Sequence, residues 1–363
     1  MTLSRAPYME WAKGRSLPAI DLAGSNLLAC SLLDLPGARE SLDLAGDSPE
    51  GYRPLLEAIA SRHGVAPDRV ALAAGCAGAN FLACAALLET GDDVLVERPV
   101  YDPLPAAARM LGASVRFFER RFEDGWALDP DRVAAALTPR TRLVIVSNPH
   151  NPTGAVASGE AVTALGKLAE RSGFHILVDE VYRDCVASNR PAPAATLSPA
   201  FISSSSLTKA YGLASLRCGW TLASPDVAQR IRRARDVVDG NGPAPVERLA
   251  ALAFANLDSL AARAHALIEA NGRLVGAFLA RRADLECVPS SATIAFPRFR
   301  DGRDASPFAE LLFRDHGVAV VSGSFFEAAS YFRISFGGAT EKLHGGLAAI
   351  ARCLDASPPN PGA

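Results

Sequence analysis

The sequence predicts an α/β protein: a large domain with a mostly parallel sheet flanked by helices, plus a smaller α+β domain built from both termini. Three observations predict it. At 363 residues, 49% of them hydrophobic, the chain exceeds one simple core and can fill two. From about residue 54 to residue 235, Ala/Leu-rich amphipathic stretches alternate with short apolar runs, the pattern of strands joined by helical crossovers. After Asn241-Gly242-Pro243-Ala244-Pro245 the pattern shifts to long helical stretches and isolated strand-like runs. These readings give a large domain at 46–240, a small domain from 1–45 and 241–356, and a disordered tail at 357–363.

The strands expected in the large domain are Val94–Val96, Ser114–Phe118, Leu143–Ser147, His175–Val178, Phe201–Ser204 and Cys218–Leu222. Small residues at Ala73–Asn80 lead into a helix expected over Phe81–Leu88. Asp129 and Pro130 mark a helix start, as cap and first helical residue. A long helical stretch from Val246 to about Arg282 is expected to break near Asn271-Gly272. Strand-like Thr293–Pro297, a helix at Ser306–His316, strand-like Val318–Val321 and Phe332–Ser335, and a helix from Thr340 to about Asp355 complete the small domain. Residues 1–45 are too short to fold alone and are expected to pack with it.

Charge and cysteine usage narrow the function. A formal charge of −2 with nearly balanced acids and bases provides no broad field for nucleic acid or an anionic membrane surface. The chain contains no run of about 18 apolar residues, and its first residues lack the apolar core of a signal peptide, so it reads as cytoplasmic. Seven scattered cysteines form no Cys-x-x-Cys pair, and the six histidines form no His-Glu-x-x-His, so no metal is expected.

The most informative residue is Lys209, in Ser203-Ser204-Ser205-Ser206-Leu207-Thr208-Lys209 with Arg217 eight residues on. A lone lysine is by default a surface residue. Its ordered company reverses that reading: Asn148-Pro149-His150-Asn151-Pro152-Thr153-Gly154, Val178-Asp179-Glu180-Val181-Tyr182 and Tyr331-Phe332-Arg333-Ile334-Ser335. An Asn, an Asp with a Tyr three on, a Lys and two Arg are the parts needed to hold pyridoxal phosphate and an amino acid. A Schiff-base lysine must reach the coenzyme aldehyde and then shuttle protons. Asp179 ends an apolar strand, where α/β sites form, and a buried acid there can keep the coenzyme ring nitrogen protonated. Tyr182 and Asn151 can donate to its phenolic oxygen, while Glu180 is not expected to touch the ring. Ala73-Ala74-Gly75-Cys76-Ala77-Gly78-Ala79-Asn80 before the helix, with Ser206 and Arg217, can cradle phosphate. Tyr101 can stack on the ring, and Arg333 suits bidentate recognition of a carboxylate.

With these motifs in order, the chain resembles the class I/II aminotransferases, the fold-type-I pyridoxal-phosphate enzymes related to aspartate aminotransferase, most strongly from Glu97 to Trp220. The resemblance implies that Lys209 links to the coenzyme, Asp179 pairs with the ring nitrogen, and Asn151 and Tyr182 meet the phenolic oxygen. Tyr101 would stack, Cys76, Ala77, Ser206 and Arg217 would hold phosphate, and Arg333 would bind the substrate carboxylate. Gly24 matches a glycine that closes over substrate. The resemblance further implies a homodimer with sites at the subunit boundary, acting on an amino acid and a 2-oxo acid. Two segments depart from the family pattern. Just before Pro49-Glu50-Gly51-Tyr52, where a partner-subunit tyrosine usually approaches the phosphate, Leu42–Ser48 has no aromatic, and Ser290-Ser291-Ala292-Thr293 stands where a Gly-Gly-aromatic segment is usual, which predicts an altered pocket. Leu27, Leu28, His150, Phe325 and Phe326 are expected to line it.

Transamination is the leading expectation. The same apparatus serves β- or γ-elimination, replacement, cyclisation or decarboxylation. A ligand-sensing regulator is disfavoured, because the chain has no spare DNA-binding module or basic face.

Overall fold

The computed structural model describes residues 5–46 and 48–356. The tail at 357–363, expected to be disordered, lies outside the described residues. The elements run α1 (Pro7–Gly14), β1 (Ile20–Asp21), α2 (Arg53–His63), β2 (Val70–Ala74), α3 (Gly75–Leu87), β3 (Asp93–Arg98), α4 (Pro103–Met110), β4 (Ser114–Glu119), α5 (Pro130–Ala136), β5 (Thr141–Ser147), α6 (Gly159–Ser172), β6 (His175–Asp179), β7 (Phe201–Ser206), β8 (Cys218–Leu222) and α7 (Pro225–Val238). They continue with α8 (Ala244–Ala255), α9 (Leu257–Ala280), β9 (Leu285–Glu286), β10 (Ile294–Ala295), β11 (Arg298–Phe299), α10 (Ser306–His316), β12 (Val318–Ala319), β13 (Val321–Ser322), β14 (Phe332–Ser335) and α11 (Thr340–Ala356).

Seven strands form the main sheet in the order β2-β8-β7-β6-β5-β3-β4. Strands β4, β3, β5, β6 and β7 are parallel; β8 runs antiparallel to both β7 and β2. Because β2 thereby points the same way as β7, the carboxyl ends of six strands and the start of β8 meet at one edge. Alternation along the strands builds a core on each face. Leu143, Ile145, Leu177 and Ile202 pack with Leu82 of α3, Leu104 of α4 and Ile231 of α7. Val144, Val146, Ile176 and Val178 pack on the opposite face with Leu165 of α6, Ala250 of α8 and Leu260 of α9. Full burial of each such aliphatic side chain is worth about 1.5–3 kcal/mol.

The first residues pair with the last third of the chain: β1 runs parallel to β12, with Ile20 opposite Val318. Leu22 joins Phe299, Phe308, Phe332, Ile334 and Ile350 in a third core. Among the described residues no helix is long and apolar enough to cross a membrane.

The structure corrects four sequence expectations. Strand β2 lies in an alanine-rich run that carries no strand pattern; its pairing with β8 over Val70–Ala74 makes it a strand. Helix α3 starts at Gly75 rather than Phe81, because its small first turns pack closely on β7 and β8. The long helical stretch breaks at Asn256, not at Asn271-Gly272. Asn271 instead donates from inside α9 to the carbonyls of Phe336 (2.7 Å) and Gly338 (2.9 Å), a tertiary use of a residue that would otherwise weaken the helix. The Val318–Val321 run is two short strands with different partners, β12 with β1 and β13 with β14. Asp129 caps α5 as expected, accepting from Asp131 N, with Pro130 first in the helix.

Candidate active site

A cavity of about 340 Å³ opens at the carboxyl edge of the sheet, where ligands bind in open α/β folds. Of the predicted site residues, Gly24, Cys76, Ala77, Tyr101, Asn151, Asp179, Ser206, Lys209 and Arg217 line it, joined by Tyr8, Ser25, Asn26 and Asn80. Each arrives for a local reason. Asp179 ends β6 and Ser206 ends β7; Asn151 stands in the turn after β5, Tyr101 follows β3, and Arg217 precedes β8.

One end of the cavity is built for an anion. Ala77 lies exposed in the first turn of α3, a thirteen-residue helix whose amino-terminal end borders the cavity through Cys76 and Ala77. Arg217 donates from Nη2 to the Ala74 carbonyl at 3.2 Å. Ser206 Oγ accepts from Thr208 N at 3.3 Å and keeps its own proton available. Two glycines allow this crowding. A Cβ at Gly75, which has φ +75°, would strike the Arg217 guanidinium, and one at Gly219 would strike the Gly75 backbone.

The carboxylate of Asp179 is buried, which raises its pKa, but three donors and the nearby Lys209 amine counteract burial. Asn80 Nδ2 donates to Oδ2 at 2.8 Å, while Val181 N (3.1 Å) and Cys76 Sγ (3.4 Å) donate to Oδ1. The Cys76 thiol therefore faces the acid, and only its backbone serves the anion end. Burial holds that thiol well above its ordinary pKa, so it remains a donor. Lys209 donates to Asn26 Oδ1 at 2.7 Å and Ser25 Oγ at 2.9 Å. Burial and Arg333 lower its pKa to about 8, against the opposing pull of Asp179. Tyr182 does not line the cavity; its hydroxyl is buried without a close hydrogen-bond partner, and burial raises its pKa against the opposing influence of Arg333 and of hydrogen bonding from the Ser25 side.

Arg333 is fully enclosed rather than cavity-lining. Its Nη1 donates to Asn151 Oδ1 at 3.0 Å, and its Nη2 donates to the Tyr8 hydroxyl at 2.8 Å and the Ala23 carbonyl at 3.0 Å. Its Nε has no partner. Asn151 and Tyr8 are thus the two residues through which it meets the cavity. Tyr8 also packs edge-on against Tyr101, with ring centroids 5.7 Å apart. Behind Asn151, its backbone N–H donates to Ser147 Oγ at 3.0 Å, and Ser147 Oγ donates to the buried Glu97 at 2.7 Å, which also pairs with Arg120 at 3.0 Å.

The expected lining at Leu27, Leu28, His150, Phe325 and Phe326 is not found. His150 is wholly buried and held neutral, its Nε2 donating to the Pro99 carbonyl at 2.9 Å and its Nδ1 accepting from Thr153 at 2.8 Å. Leu27 is buried, Leu28 is exposed to solvent, and Phe326 packs beneath the Arg333 guanidinium at 5.0 Å. Phe325 borders a separate cavity beside α10. Ser290–Thr293 likewise stays outside: Ser291 N donates to the Gly154 carbonyl at 3.0 Å, so this segment braces the Asn151–Gly154 turn. Glu180 faces away, accepting from Ala194 N at 2.7 Å. Tyr8, Ser25, Asn26 and Asn80 were not foreseen. Asn80, a polar residue in an otherwise apolar helix, was the one carrying a local signal.

The chemistry of these donors fits pyridoxal phosphate: an anion cradle at one end, a buried acid, an aromatic ring, an unpartnered phenol and a lysine of lowered pKa. The sequence profile for aminotransferase class I and II matches residues 43–350. Capreomycidine synthase of Streptomyces vinaceus is 35% identical over 97% of this chain and 94% of its own. Aspartate/prephenate aminotransferase of Thermus thermophilus is 29% identical over 84% of this chain and 82% of its own. A pyridoxal-phosphate-dependent aminotransferase from Streptococcus suis superposes with a TM-score of 0.91 at 26% identity, covering 99% of this chain and all of its own. Fold, site chemistry and relatives agree, and the chain belongs to the class I and II aminotransferases, pyridoxal-phosphate-dependent enzymes of fold type I.

Proposed function

We propose that the protein transfers the amino group of an amino acid to a 2-oxo acid, with Lys209 as covalent anchor and proton carrier. The observation that carries this reading is Lys209 itself, with its amine lowered to about 8 beside Asp179 and Arg333. When bound, pyridoxal phosphate supplies an aldehyde for the amine and an electron sink for the bond that breaks.

The protein's own residues do the rest. Cys76 and Ala77 backbone amides, Ser206 and Arg217 would hold the phosphate, and Tyr101 would stack on the ring. Asp179 would hold a proton on the ring nitrogen, and Tyr182 and Asn151 would donate toward the phenolic oxygen. Arg333 takes the substrate carboxylate, and Gly24, with Ser25 and Asn26, closes the near side. Near pH 8 the Lys209 amine exists in both protonation states, as a group that both accepts and returns a proton must. We assign residues 46–240 to the coenzyme-binding domain and 1–45 with 241–356 to the small domain. We further infer a cytoplasmic homodimer. Exposed Leu33, Leu42 and Leu44, apolar side chains left in water, support the dimer.

A second reading, elimination, replacement, cyclisation or decarboxylation, is supported by one observation. The relative named a synthase matches more of this chain, at higher identity, than the Thermus aminotransferase. One experiment separates the two. Holoenzyme is incubated with a panel of amino acids while pyridoxamine phosphate, ammonia and carbon dioxide are followed. Transamination predicts stoichiometric pyridoxamine phosphate, discharged by added 2-oxo acid. Ammonia or carbon dioxide without it would transfer the assignment to the second reading.

A further inference from the structure

We propose that Asn80 is the positioning residue that aims the Asp179 carboxylate at the coenzyme ring nitrogen. The proposal rests on the reading above, in which Asp179 is the ring-nitrogen partner.

A carboxylate offers about four lone-pair sites over its two oxygens. Val181 N and Cys76 Sγ approach Oδ1, and Asn80 Nδ2 approaches Oδ2. Oδ1 is thereby filled and Oδ2 keeps one site. The ring N–H must use that site, so the oxygen held by Asn80 is also the one that meets the coenzyme.

The amide of Asn80 is itself fixed. Its Oδ1 accepts from the hydroxyl of Ser204, which turns Nδ2 toward Asp179 rather than away. Ser204 stands directly across the β6–β7 ladder from Asp179, so acid and hydroxyl share one rung of the sheet. Asn80 reaches both from the second turn of α3, four residues after Cys76 and on the same helix face. All of these groups are buried, and a hydrogen bond to a charged group counts for most when water cannot replace it. Asn80 lines the cavity, yet its amide is occupied on both sides by protein, so it acts through the acid.

The test uses holoenzyme loaded with coenzyme labelled with ¹⁵N in the ring, for wild type, Asn80→Ala and Ser204→Ala. The ring ¹⁵N shift reports protonation directly, independent of turnover. In wild type it is expected at the protonated position. In Asn80→Ala it is expected to move toward the neutral position, with kcat down about 10- to 100-fold and KM within a few-fold. Ser204→Ala frees the amide to rotate and is expected to give a smaller shift of the same sign, which keeps the test open if Asn80→Ala folds poorly. A protonated wild type with an unmoved ¹⁵N shift in both variants would overturn the role of Asn80 and leave the parent reading intact. An unprotonated wild type would instead overturn the parent reading, and the inference with it.

Discussion

Replacing Lys209 with alanine is expected to slow amino-group transfer by about 10 000-fold, the upper range for removal of a positioned acid–base group. The coenzyme should still bind, because the Ser206–Arg217 cradle and the three hydrogen-bond donors on Asp179 do not include the lysine. The variant removes the only amine among the described residues that line the cavity and leaves Ser25 and Asn26 facing the gap. Single-turnover absorbance changes on mixing with an amino acid would give the rate. Small primary amines added to the buffer should restore part of it, since they can replace the proton carrier but not the tether. A loss below tenfold would remove Lys209 from the reaction.

Arg333→Lys is expected to lower kcat/KM for amino acids by about 100- to 1000-fold, or about 3–4 kcal/mol. An ammonium cannot span the positions the guanidinium serves. Nη1 and Nη2 reach Asn151, Tyr8 and Ala23 together. Part of the loss is the cost of leaving those acceptors unpaired around a buried side chain. A comparison substrate gives the effect its meaning. The half-reaction of an amine lacking the carboxylate should fall far less, and coenzyme affinity should stay within a few-fold. An equal loss for both substrates would make Arg333 a structural residue only.

The sequence revealed those parts of the site that combine a strand pattern with a polar residue at its end. Asp179 after Phe174–Val178, Ser206 after Phe201–Ser205 and Asn151 after Leu143–Ser147 fall on one sheet edge because parallel strands must end together. The resemblance then assigned Lys209, Tyr182, Arg217 and Arg333 their places. Contacts that cross the chain were not legible. Tyr8 meets Arg333 across a separation of 325 residues, and Ser25 meets Lys209 across 184. No local spacing encodes either. Strand β2 was hidden for a different reason: Val70–Ala74 is alanine-rich, and pairing with β8 overrides its helical preference. The lining expected at His150 and Phe326 failed because both support the site from beneath, one under the Asn151 turn and one under the Arg333 guanidinium.

The most direct measurement is to load the protein with pyridoxal phosphate at several pH values, reduce it with borohydride, and map the modified peptide by mass. The chain has only four lysines, Lys13, Lys167, Lys209 and Lys342, so the assignment is unambiguous. With the amine at about 8, attachment should become faster as pH rises through that value, because only the neutral amine attacks the aldehyde. The account predicts a single adduct on Lys209. A coenzyme found on another lysine, or a protein left unlabelled across the pH series, would contradict it.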